Sequence, residues 1–184
     1  MTRLTSTLYR SPAGTLTLVA SESGLRAVIW PGEQADRVGL AGTTLTPGEA
    51  PILSAATIQL DAYFAGDRTS FDLPLDLQGT PFQQDAWRAL AEIPFGETRS
   101  YAQQAARLGR PKAFRAVGAA NGRNPVSIVL PCHRVVGSDG SLTGFGGGVE
   151  TKRWLLEHEQ AVAQRYGVVP SGSPVALGGE SAVP

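Results

Sequence analysis

At 184 residues, with 42% apolar and 17% charged side chains, the chain suits one large domain or two small ones with a substantial core. One cysteine excludes an internal disulfide, and one cysteine beside two histidines makes a poor metal set. A net charge of zero argues at first against a nucleic-acid partner, but residues 1–85 carry five Arg against nine acids, and residues 86–160 carry ten Lys/Arg against six.

Thr5 to Arg10, Thr15 to Ala20 and Leu25 to Trp30 read as three short strands. Ser11-Pro12-Ala13-Gly14 and Ser21-Glu22-Ser23-Gly24 are the turns between them, which predicts an antiparallel meander. Pro31 to Pro51 is a Gly/Thr/Pro-rich connection with little pattern. Leu53, Ala56, Leu60 and Phe64 mark one face of a helix over 52–65, and Gly66 is a natural stop. Phe71, Leu73, Leu75 and Leu77 alternate like a strand that Pro74 demotes to an edge or an extended linker. Nothing in residues 1–77 points to chemistry, so this part reads as a structural α/β domain.

Thr80-Pro81-Phe82-Gln83 has the form of a capping box with proline at the first helical position. Phe82, Ala86, Leu90 and Ile93 follow as an apolar stripe until Pro94 and Gly96. Ser100 can cap a second helix, 101–108. Gly109-Arg110-Pro111 is a short turn, and a third helix runs over about 112–122, completing a helix-turn-helix pattern. That third helix is rich in small residues. Tight helix packing would explain this, as would a close approach to DNA with Arg115 projecting from the first turn. From Thr98 to Ser138 there are seven basic residues and no acid, which favours an anionic partner.

The apolar run Val126 to Leu130 reads as a buried strand delivering Cys132 to a Pro131-Cys132-His133-Arg134 turn. A lone Cys is often an inert buried residue. A nucleophile on a polar turn, followed by the glycine-rich Gly144-Phe145-Gly146-Gly147-Gly148 loop, points instead to an active site. A last helix spans about 151–163, and residues 164–184 read as a flexible tail. The N-terminus lacks the apolar region of a signal peptide and no run is long enough to span a membrane, so a cytoplasmic location without membrane association is expected.

Tyr101, Arg115-Ala116-Val117-Gly118, Asn124-Pro125, Pro131-Cys132-His133-Arg134-Val135 and Lys152-Arg153-Trp154-Leu155-Leu156-Glu157-His158-Glu159 stand in order over residues 80–160. Together they resemble the O6-alkylguanine-DNA alkyltransferases. The resemblance implies an α+β fold: a small N-terminal α/β domain (1–77) with a short antiparallel, RNase H-like sheet. A mainly helical, winged-helix-like domain with a helix-turn-helix (78–163) should follow, carrying DNA binding and alkyl transfer.

It further implies single-turnover transfer of an alkyl group from O6-methylguanine, with O4-methylthymine as a second candidate, to Cys132 after base flipping. In that frame His133 is the base through a water and Glu159 its orienter. Tyr101 is the proton donor, and Asn124 ties the DNA-binding helices to the cysteine loop. Arg115 enters the duplex, Val135 and Gly146 offer backbone groups to the base, and Phe145 walls the pocket. Ala116, Ala119 and Arg123 belong to the DNA-facing surface. Phe145 stands where many relatives have tyrosine, and Phe114 replaces a small residue and is expected to turn into the core. No cofactor or metal is expected. The partner is double-stranded DNA bearing O6-alkylguanine, bound by a monomer, with cooperativity left open. Two alternatives are a non-repairing damage sensor or regulator, and a cysteine hydrolase using Cys132 with His133 or His158.

Overall fold

The computed structural model describes residues 3–167. β1 (Leu4–Ser11), β2 (Gly14–Ala20) and β3 (Leu25–Ile29) pair antiparallel in chain order, as the meander requires. The connection after β3, without visible pattern in the sequence, adds a 3-10 turn at Ala35–Val38 and a strand, β4 (Leu45–Pro47), parallel to β1. The sheet is therefore mixed, in the order β3-β2-β1-β4, rather than purely antiparallel. Helix α1 (Pro51–Ala65) buries Leu53, Ala56, Leu60 and Tyr63, packs on β1 to β3, and ends at Gly66 with φ 81°. Leu75 then forms one bridge to Leu25, so the extended linker runs along β3.

The second half comprises α2 (Pro81–Leu90), β5 (Arg99–Ser100), α3 (Tyr101–Arg107), α4 (Phe114–Asn121), β6 (Val135–Val136) and α5 (Val149–Arg165). Reciprocal capping boxes start α2 (Thr80 with Gln83) and α3 (Ser100 with Gln103), satisfying amide groups that a helix start leaves free. Trp87 Nε1 donates to the Ala120 carbonyl (2.7 Å), and the Gln104 and Asn121 amides pair with each other. These buried bonds fix α2, α3 and α4 as a unit. β5 and β6 form a two-stranded parallel sheet. One core runs through both halves, from Leu16, Leu60 and Tyr63 to Trp87, Ile128 and Leu155. The fold class is α+β.

Three expectations change. Val126 to Leu130 is not a strand but a folded-back loop: Leu130 N donates to the Val126 carbonyl (3.0 Å), and buried Ile128 has φ 74°. A β-branched residue at positive φ costs on the order of 1–3 kcal/mol, so the surroundings must hold this turn in place. Phe114 does not enter the core; it is 44% exposed. The tail does not begin at 164, because α5 continues to Arg165, and residues 168–184 lie outside the described residues. Among the described residues no helix is long and apolar enough to cross a membrane.

Candidate active site and nucleic-acid interface

The cysteine loop is built by local hydrogen bonds. Asn124, itself buried, accepts from Val126 N (3.1 Å) and donates to the Leu130 carbonyl (2.7 Å), closing the loop from inside. Pro131, at φ −82° and ψ 69°, makes an inverse γ-turn in which Cys132 N donates to Leu130 O (2.9 Å). Val28 N donates to Pro125 O (2.8 Å), pinning the loop to β3. Cys132 is thereby 5% exposed on a 3-10 turn, Cys132–Arg134. Burial pushes its thiol above the ordinary value. Hydrogen bonding with Asn124 and Ser127 and the charges of Lys152 and Arg37 pull the other way.

His133 and Glu159 are fully buried, with His133 Nε2 2.7 Å from Glu159 Oε1. The carboxylate accepts four further bonds. Oε1 takes Tyr63 Oη (2.8 Å) and Arg134 Nη2 (3.0 Å), and Oε2 takes Arg134 Nε (2.9 Å) and Gly96 N (3.1 Å). Burial alone would raise the Glu159 carboxyl, but His133 and the Arg134 guanidinium overcome it and hold the group well below the usual carboxylate range. Burial lowers His133 despite Glu159, so the imidazole is neutral. With the ring neutral, the Arg134 guanidinium and the hydrogen bonds from His133, Tyr63 and Gly96 still favour the ionised Glu159. Nε2 then carries the proton donated to Glu159, and Nδ1 is left as a buried lone pair with no hydrogen-bond partner among the described residues. A neutral imidazole locked in one tautomer, with a free lone pair, can take a proton from a thiol.

Tyr101, at the start of α3, hydrogen-bonds Thr143 Oγ1 (2.9 Å), and burial raises its phenol, which stays protonated. Lys152, almost wholly buried, donates to Thr143 O (3.1 Å) and lies 5.8 Å from the Tyr101 ring centroid. Burial lowers its ammonium to about 8. Tyr101 also lines an open cleft of about 580 Å³ together with Arg37, Phe114, Arg115, Gly118 and Phe145. Phe145 packs edge-on against Trp30 (5.5 Å) and His133 (6.4 Å), joining cleft wall to base. Gly146 rests on the Glu33–Arg37 ion pair, which a Cβ there would strike, and a Cβ at Gly147 would come within 2.7 Å of Trp30. Arg115, Ala116, Ala119 and Arg123 are exposed on and just after α4, whereas Val135 is buried in β6.

The structure thus joins His133 and Glu159 in one buried group with Arg134, and buries Cys132 beside Asn124 on the adjoining loop, with Tyr101 and Phe145 beside the cleft. Sequence reasoning missed Arg134, Tyr63, Gly96 and Lys152. Arg134 could have been suspected, as a cation inside the motif. Tyr63 had no such signal, since it stands 96 positions from Glu159. It also corrects the reading of the N-terminal half as chemically silent, because Tyr63, Trp30, Glu33 and Arg37 all reach the site. His158, the alternative base, bonds the Tyr63 carbonyl (3.0 Å) and stacks on Trp154, so it is engaged away from Cys132. Among the described residues no cluster of three or more His, Cys, Asp or Glu side chains is placed to hold a metal ion.

Two family models match the chain. The DNA-binding domain of 6-O-methylguanine DNA methyltransferase matches residues 81–161, and the ribonuclease-like domain of the same family matches residues 4–77. A methylated-DNA–protein-cysteine methyltransferase of Mycobacterium tuberculosis H37Rv is 51% identical over 156 residues, covering 83% of this chain and 90% of that protein. One from Methanosarcina barkeri is 44% identical over 154 residues, covering 83% and 95%. The crystal structure of Mycobacterium tuberculosis OGT in complex with DNA superposes with a TM-score of 0.77 at 45% identity, covering 92% of this chain and 96% of that one.

Proposed function

The chain belongs to the 6-O-methylguanine DNA methyltransferase family, and from that membership we propose how its own residues carry out the transfer. The activity is direct-reversal DNA repair by a cysteine methyltransferase that is consumed as it reacts. Cys132 is the acceptor, and the buried His133–Glu159 pair, with Cys132 buried next to it in sequence, is the observation that carries the reading.

A resting thiol whose pKa burial has raised is a poor nucleophile, since the thiolate is the reactive form. His133 Nδ1 takes the thiol proton through a bridging water, and the ionised Glu159 stabilises the imidazolium that results. The sulfur then forms a bond to the alkyl carbon as the carbon–O6 bond breaks, and that electron pair leaves with the guanine. Tyr101, kept protonated by burial, donates to the departing base. The thiol proton finally replaces the one Tyr101 gave, so one thiol and one O6-alkylguanine become one thioether and one guanine. A thioether has no route back to the thiol, which makes the reaction stoichiometric.

DNA is held by the α3–turn–α4 element, whose exposed Ala116 and Ala119 allow close approach while Arg115 fills the space vacated by the flipped base. Arg123 adds a phosphate contact, Val135 and Gly146 present backbone groups to the flipped base, and Phe145 walls its pocket. Residues 78–163 carry the reacting groups, and residues 1–77 support them through Tyr63, Trp30, Glu33 and Arg37. The protein acts as a monomer on duplex DNA carrying O6-alkylguanine.

Lys152 gives this mechanism a pH signature. Its ammonium favours the Cys132 thiolate and is present below about pH 8. Removing it in Lys152→Met raises the thiol pKa further, so the rising limb of the rate against pH moves to higher pH. A shift of the limb to higher pH, and so a slower reaction at neutral pH, is expected on the free base O6-benzylguanine. An unmoved limb would remove Lys152 from the mechanism.

A further inference from the structure

Phe114 is the first residue of α4 and is 44% exposed, on a helix whose other outward residues are Arg115 and the small Ala116 and Ala119. An aromatic ring left in water on a basic surface is unexpected if α4 serves only to pack on α2 and α3. Its position is specific. It lines the same cleft as Arg115, Tyr101, Gly118 and Phe145, and the Arg115 guanidinium carbon lies 5.8 Å from its ring centroid. The nearby cations Arg110, Lys112 and Arg123 are exposed, so the ring sits where a phosphate backbone would be drawn in.

We propose that Phe114 is a second DNA-inserting element, whose ring stacks on the base adjoining the space Arg115 fills and whose face preorganises the Arg115 side chain for insertion. The inference rests on the Arg115 role given above. An aromatic face stacks on any base and is sequence-tolerant, and apolar wedges at a minor groove hold base steps apart. A guanidinium already over a ring loses less freedom when it enters the helix than one free in solvent. Phe114 is thus a specificity-determining residue for duplex over free-base substrate, and the width added by its ring is accommodated by opening the base step.

The test uses the intact protein, duplex DNA with one O6-methylguanine, and 2-aminopurine as the neighbouring base. Phe114→Ala should weaken duplex binding and slow single-turnover repair about tenfold more than it slows reaction with O6-benzylguanine. It should also diminish the 2-aminopurine fluorescence change on binding, with the salt dependence of binding unaltered because no charge is lost. Phe114→Trp should retain the fluorescence change, and Phe114→Leu should not. Equal losses on duplex and free base, or an undiminished fluorescence change in Phe114→Ala, would overturn the inference. Failure of the unmodified protein to repair the duplex would instead overturn the function on which it rests.

Discussion

Glu159→Gln is expected to lower alkyl transfer by about 10²-fold or more and to destabilise the fold by roughly 3 kcal/mol. The carboxylate binds His133 and Arg134 in a site from which water is excluded. A neutral amide of the same shape leaves the Arg134 guanidinium without its counter-charge, and breaking one partner of a buried pair costs far more than an exposed pair is worth. For a chain of this length that is a fall in Tm of about 6–12 °C. Transfer falls for a separate reason: the imidazolium formed when the thiol ionises loses the charge that stabilises it. Tyr63→Phe removes only one neutral donor to the same oxygen and should cost about 1 kcal/mol, with transfer little affected. If both substitutions reduced transfer equally, Glu159 would be structural only.

The same cluster sets the acid limb of stability. The Glu159 carboxyl is depressed in the folded protein, so its contribution is complete above the unfolded carboxyl value of about 4.3 and is lost as pH falls through the folded value. His133 is also lowered on folding, so its neutral burial contributes fully above about 6.5 and is lost below it. Both act in one direction, and acid destabilises.

Arg115→Ala should slow repair in duplex DNA about 10²-fold more than it slows reaction with O6-benzylguanine. Only the duplex requires a base to leave the stack, at a cost of a few kcal/mol that an inserted guanidinium offsets. Arg115 is exposed at the cleft and makes no ion pair with any described residue. Its loss should therefore leave folding unchanged. Equal losses on the two substrates would refute the insertion role.

Much of this was readable from single residues and short spacings. Thr80 with Gln83 announced one helix start and Ser100 another, because capping is local chemistry. His133 and Glu159 were paired through the family resemblance, and the two side chains do meet, 2.7 Å apart. What stayed hidden was non-local or ambiguous in period. β4 pairs with β1 across some forty residues, and three residues carry too little alternation to register. Val126 to Leu130 has the composition of a buried strand, and periodicity cannot separate that from a buried loop. Only the Asn124 bonds reveal the loop. Phe114, expected in the core, lies three residues before buried Val117 yet stays exposed, because apolar character says nothing of where the packing partner ends. Tyr63 and Gly96 reach Glu159 only through the packing of α1 and the α2–β5 loop against α5.

The central claim is that Cys132 is a reagent spent once. Incubating the protein with excess duplex DNA carrying radiolabelled O6-methylguanine, then mapping the label by peptide mass, tests it most directly. The mechanism predicts one methyl per molecule, on Cys132, none in Cys132→Ala, and DNA binding retained in that variant. Turnover beyond one equivalent would indicate hydrolysis, and label on any other residue would contradict the assignment of the acceptor.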